Sequence, residues 1–163
     1  MMRFFVVALV MLLTTDAAIA TTPAGLILSL TTDKPLYRSG DRIDLSIMLE
    51  NRSGEPMTIN RRLAYPGPDL TIEITDPSGM RLRWLPPAPP PPILESDFVQ
   101  LGPGQRFEVT LQDISRHLFD KLERTGEYRA TATYRNQDGG SQWKHAAWTG
   151  LVESRVVTFR WGG

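Results

Sequence analysis

The sequence predicts an all-β fold, an antiparallel β-sandwich of the immunoglobulin-like kind with about seven strands and one short helix near 115–122. Three observations carry this. Apolar and polar residues alternate with a period of two in segment after segment, as in Ile43, Leu45, Ile47 and Leu49 against Asp44, Ser46, Met48 and Glu50. Turn residues separate these segments at spacings of about 8–12 residues. The stretch 122–134 joins a glycine turn to a strand with Tyr128, Ala130, Ala132 and Tyr134 on one face. There Gly126 suits a backbone that a Cβ would strain. The Leu122, Gly126, Tyr128 spacing suits a corner tyrosine, whose hydroxyl returns to upstream backbone in such sandwiches.

The other elements follow in order. Residues 26–32 read as a first strand, broken by the turn residues Pro35 and Gly40. The strand at 43–50 ends in a turn at 51–56, and 57–63 continues as a strand. Leu70, Ile72 and Ile74 alternate with Thr71, Glu73 and Thr75, and Asp76-Pro-Ser-Gly79 is a turn signal. Met80, Leu82 and Trp84 then predict a second hairpin arm with its own apolar face. Residues 86–92 hold six prolines in seven positions, a semi-rigid polyproline spacer inside the domain. Phe98 opens a short strand to Leu101, and Phe107, Val109 and Leu111 mark the next. Ser115 is placed to cap a helix over 116–122. After the 122–134 stretch, residues 136–141 read as an exposed loop. Residues 152–161 form the last strand, with Val157, Phe159 and Trp161 on one face.

Residues 1–20 read as a secretory signal peptide: Arg3, a ten-residue apolar run over 4–13, and Ala18-Ile-Ala20 as a cleavage site before Thr21. The run is shorter than the roughly 20 residues that span a bilayer. The expected product is one exported domain, 21–163, periplasmic or extracellular, with no membrane span after cleavage. Without Arg3 and Asp16, the 18 basic and 18 acidic residues become 17 of each. A zero balance offers no general field for nucleic acid or anionic membrane. The absence of cysteine removes thiol nucleophiles and thiolate metal sites.

Thr32-Asp-Lys-Pro-Leu-Tyr-Arg-Ser-Gly-Asp41 resembles the motif that opens macroglobulin-type domains, the fibronectin-like sandwiches of the α2-macroglobulin family. The resemblance implies an extracytoplasmic sandwich. The family's thioester chemistry needs a cysteine that this chain lacks, so it is not carried over. Leu101-Gly-Pro-Gly104 before one strand, and Gly126-x-Tyr128-x-Ala130 in the next, are similar to small bacterial sandwiches. These include secreted proteinase inhibitors of the intracellular-proteinase-inhibitor type and the pro-domains of some metalloproteases.

Side chains for chemistry are sparse. His117, Asp120 and Glu123 would share one face of the expected helix, a loose trio better read as surface polarity. No Gly-x-Ser-x-Gly elbow, phosphate loop or His-x-x-x-His spacing occurs. Arg81, Arg83, Arg129 and Arg135 occupy outward strand positions, where Glu73, Glu108 and Glu127 are expected to neutralise them. Trp84 and Trp161 fit core or rim packing. Trp143 and Trp148, with Lys144 and His145 between them, lie in a loop beside the Gly139-Gly140 pair. Loops at a sandwich's end carry binding in many such folds. Either this loop presents its indoles to a partner, or it plugs the mouth of the sandwich with one or both.

The reading is an exported, non-enzymatic protein-interaction module without cofactor or metal. Its partner is an unidentified protein, a protease among the candidates, and its oligomeric state is open. A proteinase inhibitor acting through an exposed loop is the first alternative. A carbohydrate-binding module using Trp143 and Trp148 is the second.

Overall fold

The period-two segments build two packed sheets in the computed structural model, which describes residues 25–63, 69–85, 89 and 91–162. The protein is all-β, an antiparallel β-sandwich. Ten strands lie among the described residues: β1 (Leu26–Thr32), β2 (Leu36–Tyr37), β3 (Leu45–Asn51), β4 (Met57–Asn60), β5 (Leu70–Thr75), β6 (Phe98–Leu101), β7 (Arg106–Leu111), β8 (Gly126–Asn136), β9 (Gly150–Glu153) and β10 (Val157–Trp161). One sheet runs β1-β3-β7 and the other β2-β10-β8-β5, with β9 also on β8. A separate pair, β4 with β6, stands at one end. The predicted signal peptide and residues 86–88 and 90 of the proline segment lie outside the described residues.

Alternation decides what the sheets bury. Leu28 and Leu30 of β1 and Leu45, Ile47 and Leu49 of β3 share a core with Ile72 and Ile74 of β5 and with Tyr128, Ala130, Ala132 and Tyr134 of β8. Each fully buried Leu or Ile side chain contributes about 1.5–3 kcal/mol of transfer free energy. The buried Asn51 closes the turn after β3, donating to the carbonyls of Glu55 and Leu101 while accepting from Ser53.

Three expected elements come out differently. The arm at 80–84 forms no continuous strand, but its start pairs with the end of β5. Arg81 bridges Thr75, Leu82 N–H donates to the Ile74 carbonyl and Asp76 N–H to the Met80 carbonyl, after which Trp84 bridges Leu118. Met80 stays 49% exposed, while Leu82 is buried and Trp84 donates its indole N–H to the Ile72 carbonyl at 2.8 Å. The expected helix over 116–122 is one 3-10 turn, Ile114–His117, entered through Asp113 in the left-handed region. Beyond it the backbone is taken up by the 83–85 segment, Leu85 N–H donating to the His117 carbonyl and Phe119 N–H to the Arg83 carbonyl. These groups are not free for a helix, and Leu118 and Leu122 are buried. The last strand divides into β9 and β10 at Ser154, whose hydroxyl accepts the Ala132 N–H and donates to the Arg155 carbonyl. A side chain thus stands in for the ladder where the strand jogs.

The 32–41 motif is a staple between elements. Tyr37 is buried edge-on against Phe159, and its hydroxyl donates to Asp33 at 2.5 Å. Asp33 also accepts the Asp44 N–H, and β2 adds in parallel to β10.

Candidate functional site

At the corner, Tyr128 stacks on Phe159 at 5.5 Å between centroids. Its hydroxyl donates to the Arg124 carbonyl at 2.9 Å and accepts the Arg124 N–H at 3.2 Å. Gly126 has φ +141°, and a Cβ there would lie 2.8 Å from the Pro77 ring. Leu122 is buried beneath. These residues hold the turn into β8, and the hydroxyl's burial raises its pKa.

The loop fed by β8 is braced along its length. Asn136 donates from Nδ2 to the Trp148 carbonyl at 2.6 Å and accepts the Asp138 N–H; Asp138 in turn accepts the Gly140 N–H. Gly140 accepts from the backbones of Trp143 and His145, and Gly139 from Ala147. Trp148 N–H reaches across to the Thr58 carbonyl at 2.8 Å, and Ala147 bridges Thr58 in parallel. The loop is therefore no open excursion, and its glycine pair is no hinge. Gly140 has φ +70° and is buried so closely that a Cβ would sit 2.9 Å from that of His145 and 3.0 Å from the Phe98 ring.

The four loop residues singled out by sequence part company here. Trp148 stacks on Tyr134 at 5.8 Å and packs against the core, closing the sandwich's end. Tyr134 is anchored by donation to the Asn60 carbonyl at 2.7 Å, and burial pushes its hydroxyl pKa up. His145 lies on Phe98 at 5.4 Å, with Nε2 3.9 Å from the Glu95 carboxylate. Trp143 tilts over Phe98 at 5.5 Å and remains half-exposed. Lys144 is exposed, with φ +60°, and follows the 3-10 turn Ser141–Trp143. Ser141, Gln142, Lys144 and Ala146 are exposed, and Trp143, half-buried as Trp148 and His145 are, lies among them in a knuckle at 142–144. Sequence reasoning missed Phe98, the floor under both Trp143 and His145, because β6 lies about 40 positions earlier and only the tertiary fold joins them.

The remaining clusters resolve into structure. Without the helix, His117, Asp120 and Glu123 share no helix face; Asp120 takes a bidentate pair from Arg83, whose guanidinium lies over Phe119 at 4.5 Å. Hydrogen bonding from Arg83 lowers the Asp120 pKa. Arg81 pairs with Glu73 and Arg129 with Glu127. Among the described residues no three His, Asp or Glu side chains stand close enough to hold a metal ion.

The chain matches no family model and no curated protein. Similar solved structures include an alkylpurine DNA glycosylase of Pseudomonas fluorescens bound to DNA containing an abasic site analogue, with 14% identity and a TM-score of 0.41. That match covers 86% of this chain and 31% of the glycosylase, so the chain spans under a third of its length. The CARDB domain of a Pyrococcus furiosus protein, in complex with di-metal ions, is matched over 83% of this chain and 91% of that one, at 11% identity and TM-score 0.37. A Bacteroides uniformis β-glucuronidase is matched over 84% of this chain and 13% of that one, at 20% identity and TM-score 0.36. The functions in these names belong to those proteins.

Proposed function

We propose that the protein is an exported, non-enzymatic β-sandwich that binds another protein through the knuckle Gln142, Trp143 and Lys144. The observation that supports this most is the bracing of the 136–150 loop by backbone, Asn136 and Asp138. A partly exposed indole between two exposed polar residues, Gln142 and Lys144, on a pre-ordered loop suits recognition, because little side-chain or loop entropy is lost on binding. Export rests on the leader at 1–20. The test is Trp143→Ala in the secreted protein. Co-purification of the partner should fall about tenfold or more while the melting temperature holds. Unchanged co-purification would remove the knuckle from the interface.

The proteinase-inhibitor reading ranks second. An inhibitor using this loop would present Lys144 from a 3-10 turn and left-handed backbone, whereas proteases take their substrates extended. Near-stoichiometric slowing of any protease in a secreted panel would promote it. A glycan-binding role would need Trp148 as well as Trp143, and Trp148 is committed to Tyr134.

A further inference from the structure

The edge strand β7 is built unlike the other strands. It ends the β1-β3-β7 sheet, and its six residues alternate between exposed and half-buried with none buried. Every other strand among the described residues buries at least one. Phe107, Val109 and Leu111 lie against the core yet stay partly open, so the sandwich leaves this border incompletely covered.

The free side of its backbone follows from the register. Asn51 N–H donates to the Gln105 carbonyl, and alternation from that pair gives Phe107, Val109 and Leu111 to β3. The N–H and C=O groups of Arg106, Glu108 and Thr110 therefore point away from the sheet. Among the described residues no hydrogen bond from another element meets them. Such a row templates a further strand unless its side chains oppose the pairing.

Here the side chains favour one pairing. Glu108 stands opposite Met48 on β3 and has no ion-pair partner among the described residues. Arg106 shares its partner: the Glu50 carboxylate lies 3.5 Å from its Nε, and Arg52 holds the same carboxylate at 3.0 Å. The charges next beyond the strand are paired among themselves, Arg42 with Asp44 and Arg116 with Asp113. A two-fold axis perpendicular to the sheet at Phe107 sets Arg106 opposite Glu108 of a second copy, twice over. Both residues bond outward, so each pair can exchange its two backbone hydrogen bonds. The two Phe107 side chains then meet on the inner face at a close, non-hydrogen-bonded position. An axis at Glu108 would set that carboxylate against itself. One at Val109 would leave both charges opposite neutral Thr110 and Gln112. We infer that β7 pairs antiparallel with β7 of a second copy about Phe107, joining two three-stranded sheets into one of six strands.

Sedimentation of the whole protein tests this, with the melting temperature of each variant followed in parallel. Wild type should dimerise reversibly at concentrations below about 1 mM. Glu108→Arg, at an exposed position, sets arginine against arginine twice and should weaken association about tenfold or more. Arg106→Glu should do the same. An equal mixture of the two variants should regain the wild-type association, because each arginine again meets a glutamate. The chain has no cysteine, so introduced thiols report the register. Phe107→Cys should link two copies by a disulfide, and Val109→Cys should not. Trp143→Ala should leave association unchanged, so this inference and the knuckle reading fail separately. A monomer at every concentration up to about 1 mM, a dimer indifferent to Glu108→Arg, or a mixture no better than its components would overturn the inference. So would a folded Phe107→Cys that fails to link, linkage at 109, or loss of the dimer in Trp143→Ala.

Discussion

Tyr128 and Gly126 show how much of this fold rests on single side chains. The Tyr128 hydroxyl both donates to and accepts from the Arg124 backbone, and its ring stays on Phe159 whatever happens to the oxygen. Tyr128→Phe should therefore cost about 1–2 kcal/mol in denaturant unfolding, the worth of a buried hydrogen bond and no more. Gly126→Ala meets both a positive φ and the Pro77 ring, and should cost more than about 1 kcal/mol. A cost under a few tenths at either position would mean the corner does not hold the turn. The two loop indoles should separate in the same assay. Trp148→Ala opens the sandwich's end beneath Tyr134 and should cost about 2–3 kcal/mol, against less than about 1 kcal/mol for Trp143→Ala. Equal costs would mean that both indoles plug the core.

At the scale of elements, what could be read from sequence was what neighbours along the chain decide. The face of β8, the apolar sides of β1, β3 and β5, and the turns at 51–56 and 76–79 all follow from local period and turn chemistry. Misreadings occurred where a distant contact outweighs the local pattern. The arm at 80–84 alternates like a strand and does bond to the end of β5, Leu82 N–H to the Ile74 carbonyl. Past Leu82, however, the backbone bridges to Leu118 while Trp84 gives its indole N–H to the Ile72 carbonyl. Residues 116–122 look helical, but the backbone at His117 and Phe119 pairs with Leu85 and Arg83, far along the chain, in place of a helix's own ladder. The candidate site was half legible for the same reason. Local composition picks out Trp143 and Trp148. It cannot show that Tyr134 claims one while Phe98 merely supports the other.

At the scale of the whole molecule, two carboxylates set opposite trends with pH. The Ser78 hydroxyl, joined by the N–H groups of Ser78 and Met80 and by Arg124, holds Asp76 below the ordinary carboxylate range. Its contribution is present above the unfolded-state value of about 3.9 and is lost as pH falls through the lower folded value. Asp69 is the reverse: burial raises its pKa, and Arg62 only partly offsets this. The folded state then holds that proton more tightly than the unfolded one, so Asp69 adds stability as pH falls through its raised value. Asp69→Asn should raise the melting temperature at pH 7 and flatten that part of the profile. Asp76→Asn should lower it at pH 7, with the difference shrinking in strong acid. A melting series from neutral pH into acid reads both, and parallel profiles for wild type and variants would contradict the assignments.

The central proposal is that the braced loop of this β-sandwich presents Trp143 to another protein outside the cytoplasm. The most direct measurement places a photo-crosslinking amino acid at position 143 in the cells that make the protein, with position 158 on the outer face of β10 as control. The account predicts a discrete protein adduct on illumination at 143 and none at 158. Absence of an adduct at 143, or the same adducts at both positions, would contradict it.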